Sequence, residues 1–315
     1  MSNRSYAIIG TGAIGAYYGA CLQRAGNEVH YLLNNDYDRV KKSGLAIESV
    51  KGNFTLPQVK AYQNAARMPA CDVAVIALKT TNNNLLPQIL PYVVKEKGIV
   101  LILQNGLGIE EEIDSLARDF QASIIGGLCF ICSNKLGPGH IRHLDYGEIA
   151  LGEYLPEYEK AGITENMRLL ADDFKNAGIE VQLKEDLLLS RWQKLVWNIP
   201  YNGLSVVLNA TTEQLMTNIK ARSLIEAIMK EVKLAAQSCC CQIEASFIEQ
   251  MLSLTLKMKP YRTSMKIDYD LGKPLEIEAI FANPLKLADR AKVNLPKIKM
   301  LYQQLKFLDD RNTLS

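Results

Sequence analysis

Short apolar runs, each followed by a polar turn and a segment of helical period, dominate the first half of the chain. Residues 73–78 and 99–103 are uninterrupted apolar stretches of strand length, the pattern a parallel sheet imposes when it is buried on both faces. Residues 6–9 and 28–33 read as strands flanking a helix over 12–25 that Gly26 ends. A helix is expected over 36–43 and a hairpin from 45–52 to 54–56. Further helices are predicted over 84–97 and 110–120, with an apolar run over 123–132 after them. A second hairpin, from 141–145 to 148–152, then a helix over 164–177 and a strand over 180–183, complete the series. This alternation predicts an α/β fold with a doubly wound sheet of the Rossmann type.

The texture changes after Asp186. Residues 187–208, 212–238, 244–257 and 276–290 are long stretches of helical period, and 295–308 forms a last helix with Pro296 in its first turn. Strand-like runs are no longer apparent. The expected organisation is a dinucleotide-binding domain over 1–185 and an all-helical domain over 186–315, with ligand bound in the cleft between them. At 315 residues the chain exceeds what one hydrophobic core ordinarily serves.

Charge narrows the partners. The formal net charge is +2 and no long Lys/Arg block occurs, so neither nucleic acid nor an anionic membrane is indicated. The apolar runs are far shorter than a membrane span, and no signal peptide is visible ahead of Gly10; a cytoplasmic location is expected. Seven cysteines, an odd number, do not suggest a disulfide framework. Cys129 and Cys132 lie in an apolar stretch and read as core residues, while His140 and His143 lack ligand partners at metal spacing, so no metal site is expected.

Two patterns carry chemistry. Gly10, Thr11, Gly12, Ala13, Ile14 and Gly15 form a G-x-G-x-x-G that follows a predicted strand and opens a predicted helix, the context that makes it a dinucleotide fingerprint. Gly10 permits the tight turn, Gly12 the approach of a pyrophosphate and Gly15 close packing of helix on strand. Free N–H groups at the helix start then receive the phosphates. In the second half, Lys194, Asn198 and Asn202 recur every fourth residue, stacking an ammonium and two amides on one helical face. Trp192, Leu195, Val196, Trp197 and Ile199 make most other directions apolar, so this polar stripe needs partners from the protein or a ligand; a stripe facing solvent is the alternative.

Gly10–Gly15, Ala77-Leu-Lys-Thr80, Gln104-Asn-Gly-Leu-Gly108, Lys194-Leu-Val-Trp-Asn198 with Asn202, and Ser264-Met-Lys-Ile-Asp268 leading to Glu276 occur in the order and spacing of one family. The chain resembles the ketopantoate reductases along nearly its whole length. The resemblance implies a Rossmann domain joined to a helical domain, and reduction of an α-keto acid to pantoate with NADPH. It places the catalytic lysine on Lys194 and the catalytic glutamate on Glu276, with Glu278 the neighbour most easily confused with it. It implies coenzyme contacts from the glycine loop, Asn34, Lys79 and Asn105, and substrate contacts from Asn105, Asn198, Asn202 and Ser264.

Two positions depart from the family pattern. Asn34 stands where an arginine commonly meets the 2′-phosphate of NADP, which weakens NADPH preference and leaves NAD as a second coenzyme. Thr212 stands where some relatives have a further substrate-binding asparagine, which leaves another α-keto acid open as substrate. A non-catalytic NADP-binding sensor would need no proton donor, so the presence of both Lys194 and Glu276 argues against that class. The sequence says little about oligomeric state; a homodimer is one assembly it allows.

Overall fold

In the computed structural model, which describes residues 4–314, the chain forms two compact units. The first runs to Gln104 and resumes over Ile109–Leu187; the second comprises Asn105–Gly108 and the chain from Leu188 onward.

The first unit holds a single ten-stranded sheet: β1 (Ser5–Ile9), β2 (Glu28–Leu32), β3 (Leu45–Ser49), β4 (Phe54–Leu56), β5 (Lys60–Tyr62), β6 (Cys71–Ile76), β7 (Val94–Ile102), β8 (Ser123–Gly137), β9 (His140–Tyr154) and β10 (Val181–Leu183). The parallel part runs β5-β2-β1-β6-β7-β8, the order of a dinucleotide-binding sheet. Beyond β8 the sheet turns mixed: β9 is antiparallel to β8, β3 parallel to β9 and β4 antiparallel to β3, with β10 also on β9. Central strands carry the apolar runs because both faces are covered: Tyr6, Ile8, Val73, Val75 and Leu101 are buried in one core with Tyr17, Tyr18 and Leu22 of helix α1 (Ala13–Arg24). Helices α2 (Tyr37–Ser43), α3 (Leu90–Val93), α4 (Ile109–Arg118) and α5 (Glu165–Asn176) complete this unit. Cys129 and Cys132 are both buried, and burial pushes the Cys132 thiol up to about 11.

The second unit is helical: α6 (Leu187–Val207), α7 (Thr212–Thr217), α8 (Ile219–Ser238), α9 (Ala245–Lys257), α10 (Ser264–Asp270), α11 (Asn283–Arg290) and α12 (Pro296–Leu314). Its core joins Trp192, Leu195, Val196 and Ile199 of α6 to Ile225, Ile228 and Val232 of α8 and to Leu275, Ile277 and Phe281. Among the described residues no helix is long and apolar enough to cross a membrane.

Several predicted elements are corrected. The expected hairpin 141–145/148–152 is one strand, β9, paired with β8 over its length. Tyr146 (φ 60°) and Gly147 (φ 112°) kink it beside a register shift instead of reversing it, as a bulge does. The expected helix over 84–97 is a 3₁₀ segment, Thr80–Gln88, then the single turn of α3, then the start of β7. Pro87 and Pro91 each remove a helix donor there. The expected helix over 212–238 divides at Asn218, whose extended backbone and side-chain bonds to the N–H groups of Lys220 and Ala221 start a new helix.

The β9 kink is held by His143, 1% exposed. Its Nε2 lies 3.1 and 3.0 Å from the carbonyls of Asp145 and Tyr146, so it donates there; Nδ1 accepts from Ser49 Oγ at 2.8 Å. Burial holds the His143 and His30 imidazoles below the ordinary histidine range. The unfolded chain therefore takes up protons first as pH falls, so stability is full above the unfolded value of about 6.5 and declines below it. We expect the unfolding midpoint to drop between about pH 7 and pH 5, and the drop to shrink in His143→Gln and further in the double variant with His30→Gln. Thermal denaturation across that range checks this; an undiminished slope in the double variant would exclude the histidines as its source.

Candidate active site

Hydrogen bonding brings the ends of the central strands together at one edge of the sheet. Ala77 N–H donates to Ile9 O at 2.8 Å and Leu103 N–H to Ile76 O at 2.9 Å, so the segments leaving β1, β6 and β7 lie side by side. Gly10 (φ +97°) sits against the β6 exit: a Cβ there would fall 2.4 Å from Leu78 N. A Cβ on Gly15 would fall 2.1 Å from Gly10 O, which forces the close seating of α1 under the loop. Gly12 is different. It is the N-cap of α1, supplies no side chain to the first-turn N–H groups, and a Cβ there would meet nothing within 4 Å. The first turn of α1 also carries no acidic residue. Thr11, Ala13 and Ile14 are half-buried around it.

Lys79 leaves the same edge two residues beyond Ala77 and caps the 3₁₀ segment, accepting from Asn82 N–H at its own carbonyl. Gln104, buried at the end of β7, donates from Nε2 to Leu78 O at 2.9 Å and to Asn83 Oδ1 at 2.7 Å. That brace fixes the Lys79 segment, and sequence reasoning assigned Gln104 no task. Asn34 follows β2 and is exposed, as is Asn35. The next residue, Asp36, is 7% exposed, paired with Lys135 Nζ at 2.5 Å and approached by Gly139 N–H at 3.3 Å. Its carboxylate is therefore committed within the protein.

The helical unit gathers the remaining candidates. Lys194, Asn198 and Asn202 occupy successive turns of α6; Lys194 is half-buried, Asn198 7% and Asn202 2% exposed. Asn202 Oδ1 is buried without a hydrogen-bond partner among the described residues. The stripe is thus not the solvated face that its spacing left open. Ser264 is brought to this turn by its neighbour: Thr263 Oγ1 lies 2.8 Å from Ser205 Oγ, which donates to Asn202 O at 3.0 Å. Thr263, not Ser264, caps α10 by accepting from Lys266 N–H, so capping does not occupy the Ser264 hydroxyl. Thr212 is buried, and its Oγ1 exchanges hydrogen bonds with the backbone of Tyr261 at 3.2 Å in both directions, a tie between segments.

Burial separates the two glutamates. Glu276 is 6% exposed, whereas Glu278 is exposed and faces Lys286 and Lys306 at 3.7 and 3.8 Å. Just beyond Glu276 the helix widens into a π-turn, Glu278–Ala282, a feature that a 3.6-residue period cannot foretell. The Asn105–Gly108 loop docks there: Leu107 N–H donates to Ala279 O at 2.9 Å, and Asn283 Nδ2 donates to Leu107 O at 2.8 Å. Asn105 and Glu276 are therefore set in one framework. An ammonium and two amides on one helical face can bind and protonate a carbonyl oxygen.

The chain has counterparts among known proteins. The family model "Ketopantoate reductase PanE/ApbA" matches residues 6–156, and "Ketopantoate reductase PanE/ApbA C terminal" matches residues 186–309. A 2-dehydropantoate 2-reductase of Nostoc sp. is 61% identical over 312 residues, covering 99% of this chain and 97% of the relative. The crystal structure of 2-dehydropantoate 2-reductase from Geobacter metallireducens superposes with a TM-score of 0.90 at 40% identity, covering 96% of this chain and 99% of the other. A D-mandelate dehydrogenase with NADH and anilino(oxo)acetate shares the fold, with a TM-score of 0.86 at 19% identity over 98% of this chain and 99% of the other. With both halves matched by its models and relatives this similar along the whole length, the chain belongs to the ketopantoate reductase family.

Proposed function

We propose that this chain reduces 2-dehydropantoate to pantoate using a nicotinamide dinucleotide, NADPH in preference to NADH, with Lys194 as proton donor. The observation that carries the reading is the Lys194–Asn198–Asn202 face, half-buried at Lys194 and buried at both asparagines, on which Asn202 Oδ1 has no protein partner among the described residues. A buried amide oxygen left unmatched is costly unless a ligand donor meets it.

The glycine loop fits a dinucleotide. Gly12 is open in front, the first-turn N–H groups of α1 have no side-chain cap, and the first turn carries no acidic residue to repel phosphate. When bound, the coenzyme supplies the hydride that forms the new C–H bond at the keto carbon. Lys194 stabilises the charge that develops on the ketone oxygen and transfers its Nζ proton there. Glu276 holds that ammonium in place and accepts from the substrate hydroxyl. Asn198, Asn202 and Ser264 orient the substrate, Ser264 at its carboxylate. Asn105 and Lys79 hold the coenzyme, and Asn105 also meets the substrate.

Coenzyme choice turns on residues 34–36. Asn34 offers no guanidinium to a 2′-phosphate. Nor is there an acid free for a ribose diol, because Asp36 is engaged by Lys135 and Gly139 N–H. The preference for NADPH is therefore modest. Steady-state rates with each coenzyme, tested against ketopantoate and other branched α-keto acids, examine both choices; since Thr212 is committed to Tyr261, the latter acids are the natural competitors.

Three outcomes are expected. Gly12→Val should fold with a near-native unfolding midpoint yet lose coenzyme binding, whereas Gly15→Ala should destabilise the fold because its Cβ would overlap Gly10 O. Calorimetric titration beside thermal denaturation separates the two, and coenzyme affinity retained in Gly12→Val would refute the loop's assignment. Asn34→Arg should favour NADPH over NADH by about 1.5–3 kcal/mol more than the native chain does, read from the ratio of kcat/KM values. Lys194→Ala should lower kcat by about 10²–10⁴-fold with coenzyme affinity unchanged, while Glu276→Ala should impair kcat and substrate KM together. Native turnover in Lys194→Ala would move the proton donor elsewhere, with Lys79 the first alternative.

A further inference from the structure

The π-turn after Glu276 has a cause and a consequence. Asn283 N–H donates to Glu278 O, five residues back, and the residue after it is Pro284, which has no N–H. In that register the helix offers Ala279 O no donor, since its five-residue partner would be Pro284. Leu107 N–H supplies one at 2.9 Å. The Leu107 carbonyl is taken in turn by Asn283 Nδ2 at 2.8 Å. Lys286 Nζ lies 3.4 Å from Asn283 Oδ1, which fixes the end of the amide that faces the loop. Gly106 (φ +120°) lies so close that a Cβ there would be 2.5 Å from the Ala279 Cβ, and Leu107 is fully buried. Both main-chain polar groups of Leu107 are thus consumed by the helix, and the one side chain among their partners is Asn283.

We propose that Asn283 is a positioning residue: by clamping the Leu107 carbonyl to the π-turn, it holds Asn105 in register with Glu276. Asn105 lies two residues before Leu107, and Glu276 three residues before Ala279, so the clamp joins two short spans of chain and leaves little slack. The inference rests on the reading of Asn105 as a coenzyme and substrate contact. Asn283 is given no contact with either in that reading.

Asn283→Asp tests it, because the carboxylate keeps the shape and the reach to Lys286 but cannot donate to the Leu107 carbonyl. The expected result is a near-native unfolding midpoint, faster hydrogen exchange at the amides of residues 105–108, and a keto-acid KM raised about three- to tenfold with a smaller change in kcat. In an Asn105→Ala background the same substitution should change KM less than about twofold, since the residue it positions is gone. Asn283→Ala, which also removes the donor, should reproduce the exchange result and serves if the aspartate variant does not fold. Native exchange over 105–108 in the folded variant, or a KM effect undiminished in the Asn105→Ala background, would overturn the proposal. If the native chain reduces no keto acid, the proposed reaction fails, and the clamp is then judged by exchange and coenzyme dissociation constant: faster exchange with weaker coenzyme binding supports it, and native values of either overturn it.

Discussion

A buried main-chain carbonyl needs a donor, and at Ala279 the helix cannot provide one. Pro284 removes the N–H that the widened turn would use, and the loop after β7 delivers Leu107 in its place. That exchange ties the Asn105–Gly108 loop to the turn that follows Glu276. The same segment is seated by Leu107, fully buried in the helical core, and by the close approach of Gly106 to Ala279.

The same obligation to pair main-chain groups shapes the first unit. Prolines at 87 and 91 deny a long helix its donors, so the chain there condenses into a 3₁₀ segment and one α-turn before β7 begins. At the kink in β9, His143 Nε2 donates to the carbonyls of both Asp145 and Tyr146. At the sheet edge where β1 ends the requirement is inverted. Gly12 gives the first-turn N–H groups of α1 no side-chain acceptor, and helix N–H groups left in that state favour an anion.

Within the helical unit, polar burial is selective. Thr212, Thr263 and Ser205 spend their hydroxyls on backbone or on one another, and Thr255 accepts from Trp197 Nε1 at 3.1 Å. Among the described residues of this unit, two buried side-chain polar atoms lack a hydrogen-bond partner, the Trp192 Nε1 donor and the Asn202 Oδ1 acceptor. The latter lies on the face that also carries Lys194, and a keto acid with a hydroxyl and a carboxylate presents complementary groups to such a face.

By itself the sequence determined the two-part organisation, the parallel strands and the glycine loop, because these follow from local period and from residue types whose geometry is intrinsic. Continuous apolar runs can only be buried on both faces, and Gly10 and Gly15 occupy places where a Cβ would overlap backbone. The spacing of Lys194, Asn198 and Asn202 was likewise legible, since three residues four apart share a helical face in any surroundings. Tertiary structure alone decided that this face is buried, that Glu276 is enclosed while Glu278 lies exposed beside lysines, and that 141–152 continues as one strand. It also decided the tasks of Gln104, Thr263 and Asn283, whose partners lie 21, 58 and 176 residues away in the chain. A hydrogen bond across such a separation leaves no periodic trace, because the position of its partner is set by packing and not by the neighbouring residues.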